Sequence, residues 1–250
     1  MEVHHSHHHA GHVKKKFQEY LSEFLMLFAA VTLGFFAENK REHYVERERE
    51  HHYMQSFYED LKRDTTELNN VRRYYIKQIA KLDTTTSIIF SEKYNDSLII
   101  TMYDLNLGTL GNRGVKLIER TTAQLKNAGG LRLVEDQKIS DQIAVYWYWA
   151  SYMQAYGEST EELKIRARDM SYEIFNSGYY QNMERGNLFN RVKSGAKLMT
   201  NDKTRLIEYA NRLTHIRNSL RNVAIPIIDT STKVAVGLMK ELEEKYHLKN

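Results

Sequence analysis

Residues 17–37, FQEYLSEFLMLFAAVTLGFFA, constrain this chain more than any other stretch. A helix of a soluble domain carries one apolar stripe and a polar back. Here Phe24, Leu25, Leu27, Phe28, Val31, Leu33, Phe35 and Phe36 lie all round. Fourteen uncharged residues separate Glu23 from Glu38, fewer than the ~20 apolar residues that a spanning helix needs. Phe17, Tyr20 and Leu21 extend the run backwards by about two turns, to near the ~30 Å of a bilayer core. A secretory signal peptide also pairs a basic start with an apolar run. This segment lacks a small-x-small cleavage site, and a charged helical pattern follows it at once. The expectation is a single-pass transmembrane helix over 17–37 acting as a signal anchor, with Tyr20 at the lipid–water boundary.

Glu19, Glu23, Ala30, Gly34 and Glu38 fall near one face of that helix. Ala30 and Gly34 make a small-xxx-small pair, which lets helices approach closely. Carboxylates at membrane depth are costly and usually face protein or water. One reading is a homo-oligomer with this face turned inward; the other places the three glutamates in the headgroup layers. A pore for protons or cations lined by Glu23 is a further step from the first reading. Lys14, Lys15 and Lys16 precede the span, and Lys40, Arg41, Arg47 and Arg49 follow it. The positive-inside rule is therefore nearly balanced. The compact Lys triplet favours an inner-membrane protein with a cytoplasmic N-terminus and a periplasmic C-terminal domain.

The first sixteen residues, MEVHHSHHHAGHVKKK, form a His- and Lys-rich tip. His4, His5, His7, His8, His9 and His12 could hold Zn²⁺ or Ni²⁺ loosely, since a flexible tail has no preformed ligand geometry. The bland alternative is a solvated tail or an expression tag.

Beyond the span, one proline and twelve glycines in 250 residues leave few breaks, so long helices are expected. The fold class is all-α: a stalk and seam helix over 38–82, then a helical bundle over 83–250 packed on the seam. The seam reads Met54, Tyr58, Leu61, Thr65, Leu68, Arg72, Tyr75, Ile79, Leu82, with Val71 standing in for Arg72. Its alternating spacings of four and three suit a bundle or coiled coil. Asp83-Thr84-Thr85-Thr86 is expected to end that helix. Further helices are expected over 88–105, 115–126, 135–156, 159–176, 186–199 and from Asp202, with a glycine- and asparagine-rich loop over 106–114. Ser159 and Glu162 spell a capping box. Asn201 is expected to cap the last long helix, and Pro226 to kink or split it. Tyr146, Trp147, Tyr148, Trp149, Tyr152 and Tyr156 carry aromatics around most of one helix. They suit burial between two neighbours, and also base or sugar stacking or a subunit contact.

No Gly-x-Ser-x-Gly elbow and no His-Glu-x-x-His motif occurs. The loop NLGTLGNRG lacks the Gly-Lys-Ser/Thr ending of a phosphate-binding loop. Cysteine is absent, which removes disulfides, thiolate metal sites and cysteine nucleophiles. A net charge of +4 is too small and too dispersed for a nucleic-acid binder. The expectation is a non-enzymatic protein with no catalytic residues and no required cofactor. Its expected partners are the lipid bilayer, copies of itself and other envelope proteins.

EFLMLFAAVTLGFFAEN after a histidine-rich, lysine-ended tip resembles a family of uncharacterised single-pass membrane proteins from Bacteroidota. So do YMQSFYEDLKRDT, QLKNAGGLRLVEDQKISDQIAVY and the terminal EKYHLKN. The resemblance implies an envelope setting and a native His-rich tip. It implies no activity, ligand or catalytic residue.

Overall fold

The computed structural model describes residues 10–248 apart from 112, 128 and 181–194; the side chains of 10–15 and 107 also lie outside the description. The protein is all-α, with no strand among the described residues beyond an isolated bridge between Phe175 and Leu198. Six α-helices are described: α1 (Ala10–Phe90), α2 (Asp96–Thr109), α3 (Arg120–Asn127), α4 (Gln137–Ile174), α5 (Lys203–Ser219) and α6 (Ile225–Tyr246). The chain divides into two compact units, Met1–His52 and Tyr53–Asn250. The seam half of the 38–82 stretch thus belongs with the C-terminal residues.

In the first unit the described chain is helical throughout, and every residue from Lys16 to Glu42 is exposed. This part of α1 contains a segment long and apolar enough to cross a membrane. Phe24 and Phe28 stack one turn apart, 6.2 Å between ring centroids. Arg41 closes the segment with a 2.6 Å ion pair to Glu38.

In the second unit, three long helical runs carry the core. Buried Met54, Tyr58, Leu61, Leu68, Val71, Tyr75, Ile79 and Leu82 line α1, so Val71 does replace Arg72 in the seam. Arg72 turns outward to pair with Asp229 at 2.6 Å. The α5–α6 run lies antiparallel to α1: Tyr58 bonds Glu243, Arg72 bonds Asp229, and Asp83 pairs with Arg221 at 2.6 Å and Arg217 at 3.4 Å. Gln142 reaches Glu241 at 2.7 Å and Tyr156 reaches the Ser219 carbonyl at 2.8 Å, so α4 also runs antiparallel to α5–α6. Long helices held by an apolar seam owe their stability to this packing more than to propensity.

Three expected boundaries are corrected. The Asp83–Thr86 stretch does not end α1. The hydroxyls of Thr84, Thr85 and Thr86 bond back to the carbonyls of Ala80, Lys81 and Leu82 at 3.0, 3.0 and 2.9 Å. Polar side chains satisfied inside the helix do not compete with it, and Asp83 is held by two arginines of the facing run. The helix stops instead at Phe90, and α2 begins at Asp96 with Asn95 as its N-cap. The Ser159 capping box is likewise unused. Helix α4 runs through it, Thr160 bonding back to the Tyr156 carbonyl at 2.9 Å, because α4 packs on both α5 and α6 and gains more by continuing. Part of the 115–126 stretch is not helical: residues 115–119 carry no regular secondary structure, and α3 starts only at Arg120. Two smaller shifts accompany these. Asp202, not Asn201, caps α5, accepting the amides of Thr204 and Arg205. Residues 195–199 carry no helix, and 186–194 lie outside the described residues.

Pro226 splits the last long helix as expected, but without a kinked gap. A single π turn, Leu220–Ala224, absorbs it, with the Ile225 amide reaching the Leu220 carbonyl. Widening one turn relieves the ladder where proline lacks a donor.

Candidate functional site: clefts beside a pinned strap

Residues 113–119 join α2 to α3 without regular secondary structure. Among the described residues, no backbone–backbone hydrogen bond involves 113–118. Side chains hold this part-exposed segment instead. Tyr75 donates to the Arg113 carbonyl at 3.2 Å, and Arg113 pairs with Glu67 at 3.3 Å. At the far end the Ile118 amide donates to Asp64 Oδ1 at 2.8 Å. Just before the strap, the Gly111 carbonyl collects Tyr74 at 3.1 Å, Gln78 at 3.0 Å and Lys164 at 3.3 Å, while Arg168 holds the Leu110 carbonyl at 2.8 Å.

The strap walls two clefts that share Val115, Met153 and Gln154. The larger, ≈ 610 Å³, lies between the strap, α3 and α4, with Asp64, Tyr146 and Trp147 in its lining and Lys116 and Lys126 at its edge. The smaller, ≈ 370 Å³, is bounded by Tyr75, Tyr156, Glu161, Ile227 and Ile228. Both fall in the size range of small-ligand pockets.

Asp60 and Asp64, one turn apart on α1, are each only 2 % exposed. Asp64 Oδ2 accepts from the Tyr146 hydroxyl at 2.6 Å. Burial pushes the Asp64 carboxyl above the usual carboxylate range, with the Asp60 charge adding to that effect and the Tyr146 and Ile118 bonds opposing it. Tyr146 is itself shifted strongly upward by burial and by the Asp64 charge. The Thr121 amide sits 3.4 Å from Asp60 Oδ2, and Arg120 lies 3.7 Å from Asp60 Oδ1. Asp60 Oδ1 and Thr121 Oγ1 have no hydrogen-bond partner. In the second cleft Glu161 Oε2 is also unpartnered. Lys164 is 1 % exposed, and burial lowers its ammonium to about 8.

The sequence-predicted residues lie elsewhere. Glu19, Glu23, Ala30, Gly34 and Glu38 are all exposed on α1, and a Cβ built on Gly34 meets nothing within 4 Å. In a regular helix these five fall within an arc of about 100°. His4, His5, His7, His8 and His9 lie outside the described residues, as does the His12 side chain. Among the described residues no cluster of three metal-ligating side chains occurs. The aromatic run divides by face: Tyr146 is buried, Trp147, Trp149 and Tyr156 are half-buried, and Tyr148 and Tyr152 stack parallel on the outside at 6.2 Å. The burial of Asp60 and Asp64 follows from α3 and the strap folding over α1, and the period of the seam alone carries no sign of that. The partial signal was Asp64 beside Thr65, in register with a buried stripe.

The chain has no match among family models, among curated proteins or among solved structures.

Proposed function

We propose that this protein is a non-enzymatic, membrane-anchored helical module that self-associates through α1 and presents its C-terminal bundle as a scaffold, accessory subunit or sensor. The observation that carries the reading is the uncharged apolar surface of residues 24–37, extended backwards by Phe17, Tyr20 and Leu21, all of it exposed. So much exposed phenylalanine and leucine needs lipid or protein cover. The small-residue pair Ala30 and Gly34, open above Gly34, supports close approach of a second copy. The lysine triplet before the span supports an inner-membrane setting with the N-terminus in the cytoplasm, and the family resemblance points to the same envelope location.

Cross-linking in native membranes tests this. Wild-type protein is expected to give dimers or higher species, and Gly34→Leu to reduce them by blocking close packing. A strictly monomeric wild type, or cross-linking indifferent to Gly34→Leu, refutes self-association through this face. Carbonate extraction that releases the protein from membranes refutes the anchor.

A further inference from the structure

The strap and the buried carboxylates beneath it form one device. Residues 113–118 owe their position to side chains alone among the described residues. A segment with few backbone bonds sits at the low-stability end of a fold and opens before its helices do. Its C-terminal fastener is Asp64, which lies in the lining of the ≈ 610 Å³ cleft and bonds both the Ile118 amide and the Tyr146 hydroxyl. One turn away sits Asp60, equally buried, with Oδ1 lacking a hydrogen-bond partner. Burial holds the Asp64 carboxyl above the usual carboxylate range, and the Asp60 charge one turn away adds to that effect.

We propose that residues 113–119 are an acid-tightened strap over this cleft, with Asp64 as its proton-binding latch. When Asp64 carries a proton, burying it costs little, and the strap lies down on α1 and α4. When the proton leaves to solvent, lifting the strap hydrates the Asp64 carboxylate, and the open form gains. One Asp64 oxygen goes on accepting the Ile118 amide in the protonated state. The other carries the proton and donates it to the Tyr146 oxygen, reversing the bond that is 2.6 Å long in the closed form.

The sign follows from linkage. Closure raises the carboxyl's affinity for a proton, chiefly through burial. The closed form is therefore favoured as pH falls toward the ordinary carboxylate range. The charged and titratable groups around the latch are Asp60 and Glu67 on α1, Arg113 (paired with Glu67), Lys116 and Glu119 on the strap, Arg120 and Lys126 on α3, and Tyr146 on α4. Between about pH 7 and about pH 4 burial and the Asp64 charge keep Tyr146 neutral, so the proton that closure takes up goes to Asp64. This inference does not rest on the membrane anchor or on self-association.

Hydrogen exchange of the full-length protein in detergent micelles tests it, with strap amides compared to α5 amides and corrected for intrinsic rates. Wild-type strap protection is expected to rise several-fold from about pH 7 to about pH 4, while α5 changes little. Asp64→Asn keeps the shape and removes the charge. It is expected to give high strap protection at both pH values, with the rise abolished. Tyr146→Phe removes a donor that stabilises the Asp64 anion and is expected to move the rise to higher pH. Protection that falls in acid overturns the proposal, and so does a rise that survives Asp64→Asn. If Asp64→Asn fails to protect α5, and so has not folded, the Tyr146→Phe profile decides: a rise at the wild-type pH overturns the latch.

Discussion

Replacing Lys164 by methionine should stabilise the C-terminal unit at neutral pH, against the usual rule that core substitutions weaken a fold. Lys164 sits on α4 with 1 % of its surface exposed. Its ammonium donates to the Gly111 carbonyl at 3.3 Å and lies 5.7 Å from the centre of the Tyr75 ring. Glu161, a turn earlier, favours its charge, and Arg168, a turn later, opposes it. Burial outweighs the help and lowers the ammonium to about 8. The fall from the ordinary lysine value corresponds to about 3 kcal/mol of lost stability at 1.36 kcal/mol per unit. For a lysine depressed on folding, the unfolded chain binds more protons between about pH 8 and about pH 10.4. Stability from this group therefore rises with pH across that window, and the full cost is felt below it. Methionine has a similar length and no charge. It forfeits one hydrogen bond worth about 1 kcal/mol and the contact with the Tyr75 ring. The Gly111 carbonyl keeps Tyr74 and Gln78 as donors, and Glu161 keeps Arg168 at 3.4 Å. The net gain is about 2 kcal/mol at pH 7, shrinking toward zero near pH 10. Urea unfolding of the full-length protein in detergent, followed by the helical circular dichroism signal at both pH values, reads it directly. A loss of stability at pH 7, or a difference that does not change with pH, refutes the reasoning.

Two helix substitutions bracket the same unit from the backbone side. Asp202 caps α5 by accepting the amides of Thr204 and Arg205 at 2.9 and 3.4 Å. Asp202→Ala should cost about 1 kcal/mol in a urea titration. Gly237 lies inside α6, exposed, where a Cβ meets nothing within 4 Å. Gly237→Ala should raise stability by about 1 kcal/mol through the unfolded chain's lost freedom, seen as a higher midpoint with unchanged slope. The Gly34→Leu cross-linking and the strap exchange profile stated above complete the set.

The sequence by itself determined the elements whose signal is a period. Residues 24–37 carry bulky apolar side chains all round, and the structure shows a helix there with every side chain exposed. The Met54–Leu82 seam was legible down to the substitution of Val71 for Arg72, because a helix places every third or fourth residue on one stripe. The scarcity of proline and glycine foretold long helices, and Pro226 marked the one interruption of the α5–α6 run. Where the sequence misled, the local signal was real but outbid. Asp83-Thr-Thr-Thr and Ser159-x-x-Glu162 favour helix ends in an isolated chain. Packing on α5 and α6 carried both helices through, since tertiary burial outweighs a cap's ~1 kcal/mol. Only the tertiary structure decided the candidate site. Asp60 and Asp64 are buried because α3 and the strap close over them, and Lys164 because it packs against Gly111 and Tyr75. Burial of a charge depends on neighbours distant in sequence, here at separations from 53 to 89 residues between Gly111 and Lys164 or Tyr75 and Lys164. No periodicity along the chain records that.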